Sequence, residues 1–142
     1  MITSARSFAD LEPAIAYAAW RLRQDVFVIE QDCPYPDLDG RDVEPGTRHV
    51  LLLEGDDLLG YARVLDDQDV WRIGRVVLAR SARGRGLAEH VMQTAMEVCP
   101  GRDVVLDAQS PLVGWYHGFG FAPDGDEFLE DGIPHTPMRL TR

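Results

Sequence analysis

Apolar residues recur at helical spacing near the N-terminus, where Ile15, Ala18, Ala19, Leu22 and Val26 share one face. With Asp10 as N-cap and Pro13 in the first turn, the pattern predicts a helix from about Asp10 to Val28. Periodicity then vanishes over Asp32–Arg48, which carries Pro34, Pro36, Gly40, Pro45 and Gly46. It reads as a long loop, a feature that compact domains tend to keep for function. Three apolar runs follow, His49–Leu53, Leu58–Leu65 and Val70–Leu78, broken at Gly55-Asp56 and Asp66-Asp67. Short polar turns between such runs predict an antiparallel meander.

Beyond Leu78 the pattern changes. Arg80–Gly86 is a basic, glycine-bearing loop. Leu87, Val91, Ala95 and Val98 mark one face of a helix over Leu87–Val98, ended by Pro100-Gly101. Val104–Leu106 is a continuous apolar strand of the kind buried on both faces. A brief helix, Leu112–Phe119, ends at Gly120, and short strands near Glu127–Leu129 and Thr136–Leu140 close the chain. Strand, loop, helix and strand make a βαβ unit appended to the meander. The expectation is an α/β (α+β) fold, with a mixed sheet of about six to seven strands, in one domain over residues 1–142.

Composition removes several classes of function. The formal net charge is −10 and every basic residue is arginine. That balance disfavours nucleic-acid binding, which rests on neutralising phosphates, and suits a cationic substrate or simple solubility. No apolar run is long enough for a membrane span, and Met1–Asp10 lacks the form of a signal peptide, so a cytoplasmic location is expected. Cys33 and Cys99 form no paired motif, and His49, His90, His117 and His135 are scattered, so no metal site is expected. Asp37–Asp42 resembles a calcium loop but has its glycine too early and no closing glutamate.

Arg83-Gly84-Arg85-Gly86-Leu87-Ala88 carries the strongest chemical signal. It follows a strand and opens a helix, so its backbone N–H groups and the helix dipole can cradle a diphosphate. Glycine allows close approach, and Arg83 and Arg85 add charge-assisted bonds. Here the sequence resembles the GNAT acetyltransferases, whose pyrophosphate motif, Gln/Arg-x-x-Gly-x-Gly/Ala, is matched by Arg83, Gly86 and Ala88. The resemblance implies acetyl-coenzyme A as co-substrate, held by Val76, Val77 and Leu78 of the fourth strand and by Arg83, Gly84, Arg85, Gly86, Leu87 and Ala88. It also implies that the Val76 N–H polarises the thioester carbonyl, and that Tyr116, ahead of Gly120-Phe121, protonates the leaving thiolate.

Longer stretches are similar to the ElaA-type subgroup: Leu22–Pro36, Asp39–Asp42, Ile73–Val76, Asp107–Gln109 and Glu130–His135. Acetyl transfer to an amine, of a small molecule or a peptide, is expected to be direct, since neither Cys33 nor Cys99 has a histidine neighbour in sequence to activate it, and to come from a monomer or homodimer. Some family members place a glutamate on the fourth strand as base; here that strand has Arg72 and Arg75 and no carboxylate. His135, His49 and Glu30 are the other candidates for base, and His135 could equally serve only to fix the C-terminal loop. Gln31, Tyr35, His49, Arg75 and Gln109 are the expected substrate residues, with ion pairing to Asp107 or another carboxylate the alternative for Arg75 and Arg63. A silent acyl-CoA sensor, or a different acyl specificity on the same fold, remains the competing reading. The stretch from Arg23 to Phe27 and the acidic loop after it are similar to acyl-homoserine-lactone synthases.

Overall fold

The computed structural model describes residues 1–142 and places eight strands in one sheet. In chain order these are β1 (Ile2–Arg6), β2 (Arg48–Glu54), β3 (Asp57–Asp66), β4 (Trp71–Leu78), β5 (Val104–Gln109), β6 (Ala122–Pro123), β7 (Phe128–Glu130) and β8 (Ile133–Leu140). The spatial order is β1-β2-β3-β4-β5-β8-β6, with β7 paired to β8. Only β4 and β5 run parallel. The helix between them, α2 (Leu87–Glu97), completes the expected βαβ unit.

Alternation along β2 shows how the sheet is covered on both sides. Val50 and Leu52 join the core beneath α2, while Leu51 packs against α1 (Pro13–Arg23) on the opposite face. A run buried on both faces has no reason to alternate in polarity, which is why it reads as continuously apolar. Helix α2 sends Leu87, Val91, Met92 and Ala95 into its core. It can settle closely because β3 has Gly60 beneath it, where a Cβ would meet Leu78 at 2.8 Å and Val91 at 3.1 Å. Truncating fully buried Met92 to alanine should cost about 2–5 kcal/mol.

The N-terminal half differs from expectation in two ways. Ile2–Arg6 forms an edge strand, although its sequence, Ile-Thr-Ser-Ala-Arg, lacks an apolar alternation. The expected long first helix is regular only to Arg23; Gln24–Glu30 widens into π-helical turns, with Gln31 N donating to Val26 O and Cys33 N to Val28 O, both at 3.0 Å. Such wide turns often mark functional sites. The expected helix over Leu112–Phe119 shortens to α3 (Val113–His117) after a 3-10 turn. Asp66 and Asp67, expected to lie in a solvated turn, are ion-paired with Arg102, Arg41 and Arg72.

Candidate active site

Strands β4 and β5 pair only at Trp71–Val104 and Arg72–Val105, and then part. The parting begins where β4 bends. Gly74 and Val77 face Arg63 and Tyr61 of β3, so Arg75 and Val76 stand together against the single residue Ala62. This is a β-bulge, and it changes the parity of the strand. Ile73 belongs to the core under α2, whereas Val77, four residues on, belongs to the core under α1. Arg75 absorbs the extra residue with a left-handed backbone at φ +54°. For a residue with a Cβ that conformation costs roughly 1–2 kcal/mol.

The wedge opens into a cleft of about 520 Å³. Leu65, Ile73 and Leu106 form part of its apolar lining, with Val26 and Phe27 from the π-helical turns. Val76, Val77, Leu78, Arg83 and Tyr116 line it together with Gln31, Tyr35, Arg75, Gln109 and His135. A second cavity of about 230 Å³ adjoins it between β4, α2 and α3. All eight of its lining residues are apolar: Val76, Val77, Leu78, Ala88, Val91, Leu112, Trp115 and Tyr116. The expected cofactor strand therefore borders both spaces.

Gly84 and Gly86 hold φ of +75° and +70°, and Gly86 is the N-cap of α2. The first-turn N–H groups of a helix have no intrahelical partners, so the loop presents donors at this end. Arg83 is not free there. Glu30 takes both of its terminal nitrogens, at 2.9 and 3.1 Å, and Arg80 at 3.2 Å. Arg83, with Arg80, holds the Glu30 carboxyl below the usual carboxylate range, which makes Glu30 a poor base. Arg85 reaches only Glu54, at 3.6 Å.

Tyr116 is nearly buried, on α3, against Trp115 and Phe121. Burial alone pushes its hydroxyl up to about 12, so it keeps its proton at neutral pH. His135, on β8 opposite Gln109, has Nδ1 2.8 Å from the Ile133 carbonyl and its ring stacked on Phe128. A carbonyl only accepts, so Nδ1 carries the proton and Nε2 of the neutral ring has a free lone pair. Gln109 donates to Gln31 Oε1 at 3.3 Å, joining β5 to the end of the π-helical turns across the cleft.

His49 does not join this site. It is fully buried, with Nε2 2.9 Å from the Asp42 carbonyl and Nδ1 2.6 Å from the Tyr61 hydroxyl. Strand alternation explains the misplacement: His49 and Leu51 point to the α1 face, across from Arg63 and Tyr61. That face carries a charged cluster. Fully buried Arg23 donates to Asp37 Oδ2 at 2.9 Å and to Asp42 Oδ1 at 2.6 Å, and Arg63 donates to Asp39 at 2.8 Å through each terminal nitrogen. The Asp37, Asp39 and Asp42 carboxylates thus face arginines. Burial alone would raise the Asp42 carboxyl, but Arg23 and Arg63 outweigh it and hold it low. Arg75 lines the cleft and is also ion-paired, to Asp37 at 2.8 Å.

The cleft includes Cys33, whose thiol donates to the Asp131 carbonyl at 3.6 Å. Burial, then Asp131 and Glu130, push that thiol up. Cys99 lies away from the cleft, its thiol pushed up by burial to about 12. Neither is an activated nucleophile.

Comparison with known proteins agrees with this architecture. Residues 25–142 match the family model "Acetyltransferase (GNAT) domain". Protein ElaA of Escherichia coli is 40% identical over 137 residues, covering 92% of this chain and 90% of ElaA. A UPF0039 protein of Mycobacterium tuberculosis is 42% identical over 134 residues, covering 91% of this chain and 86% of its own. The crystal structure of Escherichia coli ElaA superimposes with a TM-score of 0.93 at 36% identity, over 98% of this chain and 99% of that one. That of an acyl-CoA N-acyltransferase from Pseudomonas aeruginosa does so at 0.91 and 37%, over 99% and 100%. The splayed β4 and β5, the glycine loop before α2 and these likenesses converge: the chain belongs to the GNAT acetyltransferase family, among the relatives of ElaA.

Proposed function

We propose that this protein transfers an acetyl group from acetyl-coenzyme A to an amine, by direct attack within a ternary complex. The observation that carries the reading is the bulge at Arg75-Val76, set where β4 leaves β5 and facing the same cleft as Tyr116. Gly84, Gly86 and the first turn of α2, with Arg83 and Arg85, hold the diphosphate. Val76, Val77, Leu78 and Ala88 border the apolar cavity, whose size and lining suit a pantetheine arm. The polar half, with Gln31, Tyr35, Arg75, Gln109 and His135, takes the amine.

The steps balance without a covalent enzyme intermediate. The amine nitrogen attacks the thioester carbon, and the C–N bond forms. The Val76 N–H stabilises the oxyanion of the tetrahedral adduct. His135 Nε2 takes the amine proton, directly or through water. The adduct collapses, the C–S bond breaks, and Tyr116 gives its proton to the departing thiolate; Tyr116 then regains a proton from solvent as His135 releases its own. Holding both reactants together supplies much of the rate. The test is turnover of acetyl-coenzyme A, and of longer acyl-coenzyme A esters, against a panel of amines, followed by release of free thiol. Saturable release with at least one amine is expected. Tight coenzyme binding without release for any amine would overturn the reading in favour of a binding module.

A further inference from the structure

Asp37 does not line the cleft, yet it makes the shortest bonds to Arg75, the residue at the bulge. Its Oδ1 accepts from Arg75 Nε at 2.8 Å and from the Tyr35 hydroxyl at 3.0 Å. Its backbone carbonyl accepts from Arg75 Nη2 at 3.1 Å. Its Oδ2 and carbonyl accept from Arg23 Nε and Nη2, both at 2.9 Å. Arg23 is itself clamped by Asp42 and packed over the Trp20 and Tyr61 rings at 5.0 and 5.6 Å. Arg75 in turn sits over Tyr35 at 5.5 Å. A buried carboxylate thus ties the end of α1 to one residue of β4, and that residue is the one held at φ +54°.

The next residue is Val76. We infer that Asp37 is a positioning residue for catalysis: it holds Arg75 in the left-handed bulge and thereby aims the Val76 N–H at the oxyanion. The inference rests on the proposed role of that N–H. A left-handed arginine in a strand persists only where its surroundings over-determine it. Here the over-determination comes from the side chain. Nε and Nη2 both bond Asp37, whose own position is set by Arg23 rather than by the sheet, and Asp39 adds only a longer ion pair to Nη2 at 3.6 Å. The loop Asp32–Arg48 therefore acts on the chemistry through Asp37, besides lending Tyr35 to the cleft. Its sequence spacing fits the task, since Tyr35 and Asp37 are close enough to bond one another while both engage Arg75.

Three variants decide the matter. Asp37→Asn keeps the shape and loses the charge. Arg75→Gly is at ease at positive φ but removes the tether, and adds backbone freedom. The third is the double variant. Each should remain folded by circular dichroism, bind coenzyme A within about threefold of the parent, and lose about tenfold to a hundredfold in kcat, as displaced catalytic donors do. The double variant should lose no more than the worse single one, because both act through one tether. That non-additivity shows that the two residues act through one tether, and a loss in kcat with KM for the amine little changed separates positioning from a substrate contact by Arg75. A second readout does not need turnover: amide exchange at Arg75 and Val76 should speed up by about tenfold while Ile73 is unchanged. If Asp37→Asn fails to fold, Arg75→Gly decides alone. A folded Arg75→Gly with kcat within about twofold of the parent, or unchanged exchange at Val76, overturns the inference. Should the parent turn over no amine, the proposed function fails, and the exchange measurement still judges the tether.

Discussion

Glu30 grips Arg83 through both carboxylate oxygens, at 2.9 and 3.1 Å, across 53 residues of sequence. The grip lies at the glycine loop before α2, the proposed seat of the diphosphate. An anion that is part of the protein thus holds the arginine, and a coenzyme bound as proposed would compete with it. Because the pair is exposed, its worth is small. Glu30→Gln should therefore tighten coenzyme A binding by only about twofold to fivefold, measured by calorimetry at low salt. The advantage should shrink as salt is added. Weaker binding in this variant would mean that Glu30 supports the loop rather than competing for it.

Tyr116→Phe should leave coenzyme A affinity intact and lower single-turnover acyl transfer by about a hundredfold or more. The hydroxyl is held up near 12 by burial alone, so it is a donor throughout the physiological range. Acyl esters with a more acidic leaving thiol need less help, and should lose less rate in the variant. An equal loss for both leaving groups would assign Tyr116 to packing against Trp115 and Phe121.

The legible parts of the site were those encoded locally. A strand, a Gly-x-Gly turn and a helix start lie within a dozen residues, and Arg83–Ala88 stands at the N-terminus of α2 where the pattern puts it. Gln109 and His135, which face one another across β5 and β8, are legible instead through the family resemblance. The rest depended on pairings with no local signature. Arg23 lies one residue after Leu22 on a helix whose apolar stripe says nothing of three carboxylates in a proline-rich loop 14 to 19 residues on. His49 begins an apolar strand, and only the α1 layer, packed on that face, seals it. The bulge at Arg75 has no local signature, because Arg72, Gly74 and Arg75 already interrupt the apolar run of β4 and one inserted residue leaves no legible change of phase.

Gly86 tests the loop. Its φ of +70° is costly for any residue with a Cβ, and most for a β-branched one. A Cβ there would meet nothing nearer than Glu89 Oε2 at 3.5 Å, so strain rather than collision is the effect. Gly86→Val should weaken coenzyme A binding at least about tenfold, with a loss of stability of roughly 1–2 kcal/mol. Full affinity in that variant would move the diphosphate elsewhere.

His49 gives the protein a pH-dependent stability with a definite sign. Burial holds its imidazole below the ordinary value of 6.5, ahead of the opposing Asp42 carbonyl contact. As pH falls below about 6.5, the unfolded chain takes up a proton that the folded chain refuses, so unfolding becomes easier. The contribution is complete above that value and is lost as pH falls towards the depressed folded pKa. Urea unfolding between pH 7.5 and 5 should show declining stability, while the ion-paired Asp42 carboxyl adds its own loss only in stronger acid. His49→Phe should be less stable at pH 7.5, having lost its bonds to Tyr61 and Asp42, yet flatter across this window. An equally steep decline in the variant would assign the proton uptake to another group.

The thiols test whether acyl transfer is direct. Covalent catalysis needs a thiolate beside a base. Cys33 lies in the cleft but is pushed towards its protonated form by burial, Asp131 and Glu130, and it gives its hydrogen bond to a backbone carbonyl. Cys99, pushed to about 12, bonds Ala95 O on its own helix. A thioester offered to this protein without an amine should therefore stay on the coenzyme. Intact mass after incubation with acetyl-coenzyme A alone should match the unmodified chain, and Cys33→Ser should keep its single-turnover rate within about twofold. An acetyl adduct on Cys33 that forms and decays as fast as turnover would replace direct attack by a two-step route, and would make the acidic residues at Glu130 and Asp131 restraints on that nucleophile.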